Sequence, residues 1–387
     1  MNKKELELYI HIPFCVRKCS YCDFLSAPAT EQTREAYMAA LFAEIGGRAK
    51  DYSDRTVTSI FIGGGTPSLL SGEQIGQLMD RIREQFAMAQ DAEITMEVNP
   101  GTANAEKLRN FYTAGINRLS IGMQSAQAEE LKNLGRIHDF EGFCQVYREA
   151  VEAGFTNINV DIMSGLPGQT LASYRDTLEK VLHLEPMPQH ISAYSLIVEE
   201  GTPFAAMAER GELPLPEEET ERAMYEETIE VLAKYGFHRY EISNYARDGY
   251  ECRHNVGYWI RRDYLGFGIG AASLIDNVRF QNEKSLGAYL AHPLESREEE
   301  QTLTVQDRME ETMFLGLRLT RGVSCVDFAE QYGRTVEEVY GEGIARNVAD
   351  GLLTVTERKE NQKKDRLLAL TKRGLDLSNY VMAQFLF

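Results

Sequence analysis

Three cysteines stand within one short stretch, Cys15-Val-Arg-Lys-Cys19-Ser-Tyr-Cys22. Three thiolates on one loop can hold three irons of a [4Fe–4S] cluster, because cluster irons take Cys sulfur as their protein ligand. The fourth iron is then open to an outside ligand, which makes the loop a reaction centre rather than a staple. A zinc site would call for a fourth Cys or His close by, and the one near histidine, His11, falls inside the preceding strand. A disulfide with a spare thiol belongs to secreted proteins, and the rest of this chain reads as cytoplasmic. The spacing favours the cluster.

Other chemistry-bearing residues follow apolar runs. Gly63-Gly64-Gly65-Thr66-Pro67 comes after a strand and before a helix, and its glycines let backbone approach a ligand with bare amides; the Lys-Ser/Thr of a phosphate loop is missing. Glu97, Gln124, Arg136 and Asp161 sit at or near strand ends. An acid there is costly to bury without a partner, and a ligand with hydroxyls, an ammonium and a carboxylate would serve, as would internal salt bridges. Tyr9, His11 and Pro13 share one face of the first strand, pointing either into the site or into an ordinary core. In Glu251-Cys252-Arg253-His254-Asn255-Val256-Gly257-Tyr258-Trp259, both His254 and Cys252 are potential axial ligands for haem iron; the same residues also suit a packed domain junction. Cys144 and Cys325 lie in apolar helical patterns and read as core.

The elements that carry these residues alternate. Strands are expected at Leu6–Ile12, Thr58–Ile62, Glu93–Val98, Arg118–Met123, Asn157–Met163 and Gln189–Leu196, each gap long enough for a crossover helix. Ser71 with Gln74 marks a capping box opening Gly72–Phe86. Gly115 and Gly154 end Asn104–Ala114 and Phe140–Ala153, and Thr170 caps Leu171–Leu184. Six βα units in series predict an α/β fold, a partial (β/α)6 TIM-like barrel. Most of the unusual residues fall at the C-terminal ends of its strands, where such folds bind ligands. A helix follows at Glu217–Tyr235, and His292–Gln301 reads as a linker. Helices near Val305–Leu319, Val323–Tyr332 and Val336–Asp350, then a strand pair at Leu352–Thr356 and Leu367–Leu370, give a winged-helix-like order. The expected domains are 1–208 for the barrel, 209–295 for a smaller α/β extension and 296–387 for the C-terminal winged-helix-like region.

The chain has 387 residues, 43% hydrophobic and 26% charged, with a net charge of −18. That charge argues against nucleic acid and anionic lipid as partners. The polar start lacks the apolar core of a signal peptide, and no apolar run approaches the ~20 residues of a membrane span. A reducing, cytoplasmic location is expected.

Cys-x3-Cys-x2-Cys with Tyr21 before the third Cys resembles the signature of the radical SAM superfamily. In that family the open iron binds S-adenosylmethionine (SAM), and electron transfer cleaves it to methionine and a 5′-deoxyadenosyl radical. Tyr9-Ile-His-Ile-Pro-Phe-Cys15, Gly63-Gly-Gly-Thr-Pro67 and Asp161-Ile-Met-Ser-Gly-Leu-Pro-Gly-Gln-Thr170 resemble the oxygen-independent coproporphyrinogen III oxidase branch. The resemblance implies that Cys15, Cys19 and Cys22 hold the cluster. It also implies that Gly64, Gly65 and Thr66 meet the SAM amino group, Arg136 its carboxylate, and Glu97, Gln124 and Asp161 its ribose and neighbouring polar atoms. Tyr9 and Tyr21 then line the adenosyl pocket, and Arg17 and Lys18 offset the cluster charge. The oxidase proper adds a fourth cysteine where this chain has Phe24, and carries a long N-terminal extension. His254-Asn-Val-Gly-Tyr-Trp259 instead resembles the His-Asn-x-x-Tyr-Trp mark of the haem-chaperone subgroup. The implied cofactors are a [4Fe–4S] cluster, SAM and haem, with His254 as haem ligand. The implied partners are haem or another tetrapyrrole, haem-acceptor proteins, and an electron donor such as flavodoxin or ferredoxin. Oxidative decarboxylation of coproporphyrinogen III, or radical methyl transfer to haem, are the enzymatic alternatives.

Overall fold

A computed structural model describes residues 4–295, 297–360 and 363–386; the first three residues of the chain and the tip of the wing lie outside it. Strand β1 (Lys4–Ile12) is followed by α1 (Glu31–Arg48), β2 (Arg55–Gly64), α2 (Gly72–Gln85), β3 (Ala87–Val98), α3 (Ala105–Thr113) and β4 (Arg118–Gln124). Two helices, α4 (Ala128–Leu134) and α5 (Phe140–Ala153), lead to β5 (Ile158–Ser164), and α6 (Leu171–Leu182) leads to β6 (His190–Ser195). All six strands are parallel neighbours in chain order, as a series of right-handed βα units requires. The capping box at Ser71 and Gln74 is formed, and Gly115 and Gly154 take the left-handed conformation just past α3 and α5.

Alternation along β1 explains which face becomes the site. Leu6, Leu8, Ile10 and Ile12 are fully buried in the apolar layer beneath the helices, where each contributes about 2 kcal/mol by leaving water. Glu7, Tyr9 and His11 take the opposite face. The same period places Glu97, Ser120 and Asn159 side by side on β3, β4 and β5, and Asp161 beside Ser192 on β6.

The chain then makes α7 (Pro203–Glu209), α8 (Glu218–Lys234), β7 (His238–Arg239), β8 (Asn244–Ala246) and α9 (Arg253–Trp259). Next come β9 (Tyr264–Phe267), β10 (Ala272–Ile275), β11 (Val278–Asn282), α10 (Leu286–Ala291) and β12 (Arg297–Thr302). Strand β9 joins β1 as a seventh parallel strand, and the sheet stays open, with antiparallel strands on both flanks. The expected linker at His292–Gln301 is therefore wrong over its second half. Arg297–Thr302 is an exposed edge strand on β11, its glutamates of the kind that discourage further strand pairing.

A second core belongs to α11 (Val305–Gly316), β13 (Val323–Ser324), α12 (Cys325–Tyr332), α13 (Val336–Ala349), β14 (Leu353–Glu360), β15 (Lys363–Leu370), α14 (Lys372–Asp376) and α15 (Ser378–Ala383). Its sheet order β13-β15-β14 against α12 and α13 is a winged-helix arrangement. Glu311 of α11 ties it to the extension through Arg261 and Arg279, each at 2.8 Å.

Candidate functional site

The loop after β1 carries the three cysteines across the C-terminal ends of the strands. Backbone bonds hold it in place: Cys15 donates to Ala27 at 3.1 Å and Ser20 to Leu134 at 3.0 Å. Cys15, Cys19 and Cys22 are free and half-buried, and all three open on one cavity of about 340 Å³. Thr66 Oγ1 lies 3.5 Å from Cys15 Sγ, and Arg136 Nη1 lies 3.9 Å from Cys19 Sγ. Burial, more than the neighbouring thiols, pushes the Cys22 thiol up. Arg17 donates to the Gly135 carbonyl at 2.6 Å and Lys18 to the Phe24 carbonyl at 3.1 Å, so both pin the loop. Among the described residues no three His, Cys, Asp or Glu side chains converge on a single-ion site.

The glycine loop corrects one expectation. Its amides are not bare: Gly64 donates to Glu97 Oε2 at 3.0 Å, Gly65 to the Ile12 carbonyl at 2.8 Å and Thr66 to the Phe14 carbonyl at 2.7 Å. Gly64 has φ +109°, and a Cβ there would strike the His11 ring. A Cβ on Gly65 would stand 2.7 Å from the Phe14 carbonyl oxygen. These two glycines let the loop press against the cysteine loop.

Glu97, Gln124, Arg136, Asp161 and Tyr21 line the same cavity. Burial, then the nearby Asp161, raises Glu97 to about 7, against the pull of the Gly64 N–H. Asp161 is also raised by burial; it accepts from Asn159 at 2.7 Å and from Ser120 at 3.2 Å. Gln124 ends β4 with φ +69°, and Gly122 leaves the space that its side chain and Arg136 occupy. Arg136 donates to the Gly122 carbonyl at 2.7 Å. Tyr9 stands behind the cavity wall: its ring lies against Phe61, which does line the cavity, and its hydroxyl is 3.0 Å from His11 Nδ1.

His254 is elsewhere. It is 1% exposed, on the first turn of α9 beneath β2. Its Nδ1 is 2.8 Å from Ser59 Oγ, its Nε2 is 2.9 Å from Tyr258 Oη, and its ring stacks on Phe61. Burial, then Arg118 and Arg262, lowers it to about 3. Both nitrogens are engaged, so in this arrangement His254 offers none to an iron. Cys252 is equally enclosed, 3.5 Å from Glu93. Glu93 also accepts the N–H groups of Arg253 and His254 at 3.1 and 3.2 Å, placing a carboxylate at the positive end of α9. Asn255 of this helix faces the cavity, while Trp259 lines a separate groove of about 510 Å³ against the C-terminal unit.

Residues 9–181 match the radical SAM superfamily and residues 303–377 the HemN C-terminal domain. The chain is 36% identical to the heme chaperone HemW of Lactococcus lactis over 100% of its own length and 98% of that protein's. It is 38% identical to heme chaperone HemW of Bacillus subtilis over 98% of each.

The chain belongs to the HemW family of radical SAM proteins.

Among solved structures, the Escherichia coli coproporphyrinogen III oxidase HemN, a radical SAM enzyme, superposes with a TM-score of 0.85 at 28% identity. That match covers 100% of this chain and 91% of HemN. Within this HemW-family fold, residues not singled out in the sequence also line the cavity, Phe61, Arg118, Asn159, Ser192 and Tyr194, and so does Asn255 of the His-Asn-x-x-Tyr-Trp motif. Strand period was the available signal. Arg118, Ser120, Gly122 and Gln124 alternate along β4, a polar or small residue at every inward position.

Proposed function

We propose that this chain is a haem chaperone that binds a [4Fe–4S] cluster, SAM and haem and passes haem to acceptor proteins in the cytoplasm. The observation that carries the reading is full-length similarity to HemW proteins together with three free thiols opening on one cavity. Among the described residues, no helix is long and apolar enough to cross a membrane.

The donor set fits a cluster. Cys15, Cys19 and Cys22 would each supply one thiolate, and among the described residues no fourth Cys and no His lines the cavity to compete for the remaining iron. Reduced by a flavodoxin or ferredoxin, the cluster would supply one-electron chemistry to bound SAM. The chain's own residues do the positioning. Arg136, beside Cys19, suits the SAM carboxylate, since a guanidinium matches a carboxylate in shape and charge. Backbone carbonyls at Gly64, Gly65 and Thr66 suit its ammonium. Glu97, protonated to near neutrality, and Asp161 can share hydrogen bonds with hydroxyls, with Gln124 and Tyr21 completing the nucleoside side and Tyr9 backing it from behind Phe61. The expected division into 1–208, 209–295 and 296–387 assigns cluster and SAM to the first unit.

The test is anaerobic reconstitution with iron and sulfide, followed by haem titration with and without SAM. One haem per chain and a cluster absorption band are expected; a chain that takes up neither would end the reading. The similarity to HemN supports a second reading, radical decarboxylation of coproporphyrinogen III. Vinyl product from coproporphyrinogen and SAM would establish it.

A further inference from the structure

Arg118 opens β4, is 2% exposed, and lines the cavity that the cysteines cap. Among the described residues nothing accepts a hydrogen bond from its guanidinium or pairs with it as an ion, and its buried Nε has no partner. Other buried arginines are paired: Arg48 with Glu44, and Arg55 with Asp263 and Asp276. Glu93 and Asp161 act on Arg118 through space, but Glu93 is spent on the amides of α9 and Asp161 on Asn159 and Ser120. A buried guanidinium without a hydrogen-bonded counter-charge is costly to keep, which marks the site as one built for an anionic group. Asn255 reaches the same cavity from α9, and its side-chain amide also lacks a hydrogen bond among the described residues.

We propose that Arg118 and Asn255 form a carboxylate-binding subsite at the floor of the cavity, taking a propionate arm of the tetrapyrrole. The assignment rests on the tetrapyrrole reading above. A guanidinium fork with an adjacent amide presents several parallel donors to one carboxylate. The carboxylate of SAM belongs at the other end. Arg136, beside Cys19, bonds the Gly122 carbonyl, whereas Arg118 lies four residues earlier on β4, roughly 13 Å along the strand at about 3.3 Å per residue. A cavity of about 340 Å³ admits an arm, not a macrocycle beside a nucleoside.

The test titrates haem and haem dimethyl ester, whose propionates are blocked, into the anaerobically reconstituted full chain. SAM affinity is measured in parallel. Wild type should prefer haem over the ester by about tenfold or more, the scale of a hydrogen-bonded charge. Arg118→Gln should abolish that preference, Arg118→Lys should keep part of it, and Asn255→Ala should weaken it. Arg118→Gln should leave SAM affinity at the wild-type value. An unchanged haem preference in Arg118→Gln overturns the subsite. So does a loss confined to SAM affinity, which would move Arg118 to the other ligand. Equal binding of haem and ester by wild type overturns the subsite and leaves the chaperone reading intact, while failure to bind either overturns both.

Discussion

His254 shares a 2.8 Å hydrogen bond with Ser59, so the helix carrying the His-Asn-x-x-Tyr-Trp sequence is fastened to the inner face of β2. The histidine is a strut of the barrel floor, and the residue its helix delivers to the cavity is its neighbour Asn255. His254→Ala removes two hydrogen bonds and a stacked ring, and should destabilise the fold by about 2–4 kcal/mol in urea denaturation. Saturating haem should still bind at wild-type stoichiometry. Loss of haem with unchanged stability would make His254 the iron ligand. The neutral ring also sets a pH limit: with a folded value of about 3 against 6.5, its contribution is complete above pH 6.5 and is lost as pH falls toward 3.

Cys15→Ser, Cys19→Ser and Cys22→Ser should each leave the reconstituted chain without iron and acid-labile sulfide. Cys144→Ser, on α5 away from the cavity, should leave both unchanged. Retention of a full cluster by any of the first three would remove that thiol from the ligand set.

Glu97 should make the cluster-free protein less stable as pH rises. Its folded value of about 7 lies above the ordinary 4.5, so the native state binds the extra proton between them. The stabilisation is complete below pH 4.5 and declines through pH 7, by on the order of 3 kcal/mol at pH 8 for this group alone. Glu97→Gln should flatten the stability profile between pH 5 and about 8, and an unaltered slope would contradict the burial argument.

Gly257 packs directly on the Glu7 carboxylate, where any Cβ would collide with it. Gly257→Ala should push α9 away from β1 and cost about 1–3 kcal/mol. Burial, outweighing Arg262, raises Glu7 to about 8, so the displaced acid should titrate nearer its ordinary range. A variant as stable as wild type would show that α9 can shift freely.

Much of the barrel could be read along the chain because its signals are local. Ser71 and Gln74 cap α2 across three residues, and apolar residues at every second position declare β1 without reference to distant segments. The cysteine loop is local in the same sense: Cys15, Cys19 and Cys22 share a loop wherever that loop lies. The edge strand Arg297–Thr302 was missed because its charged residues carry no apolar alternation, and pairing with β11 decides its structure. Arg118 was missed because a strand's first residue reads as solvent-facing until the elements below the sheet are in place.

Residue order alone determined the cysteine spacing, the six βα units and the polar face of each strand, since these depend on neighbours within a few positions. Only the tertiary structure decided that His254 is enclosed and that Asn255 and Arg118 meet at one floor. Helix α9 comes from beyond the sixth parallel strand and returns beneath β2, and which side of it faces the sheet is set by Glu93, Ser59 and Glu7, three polar side chains distant in the chain.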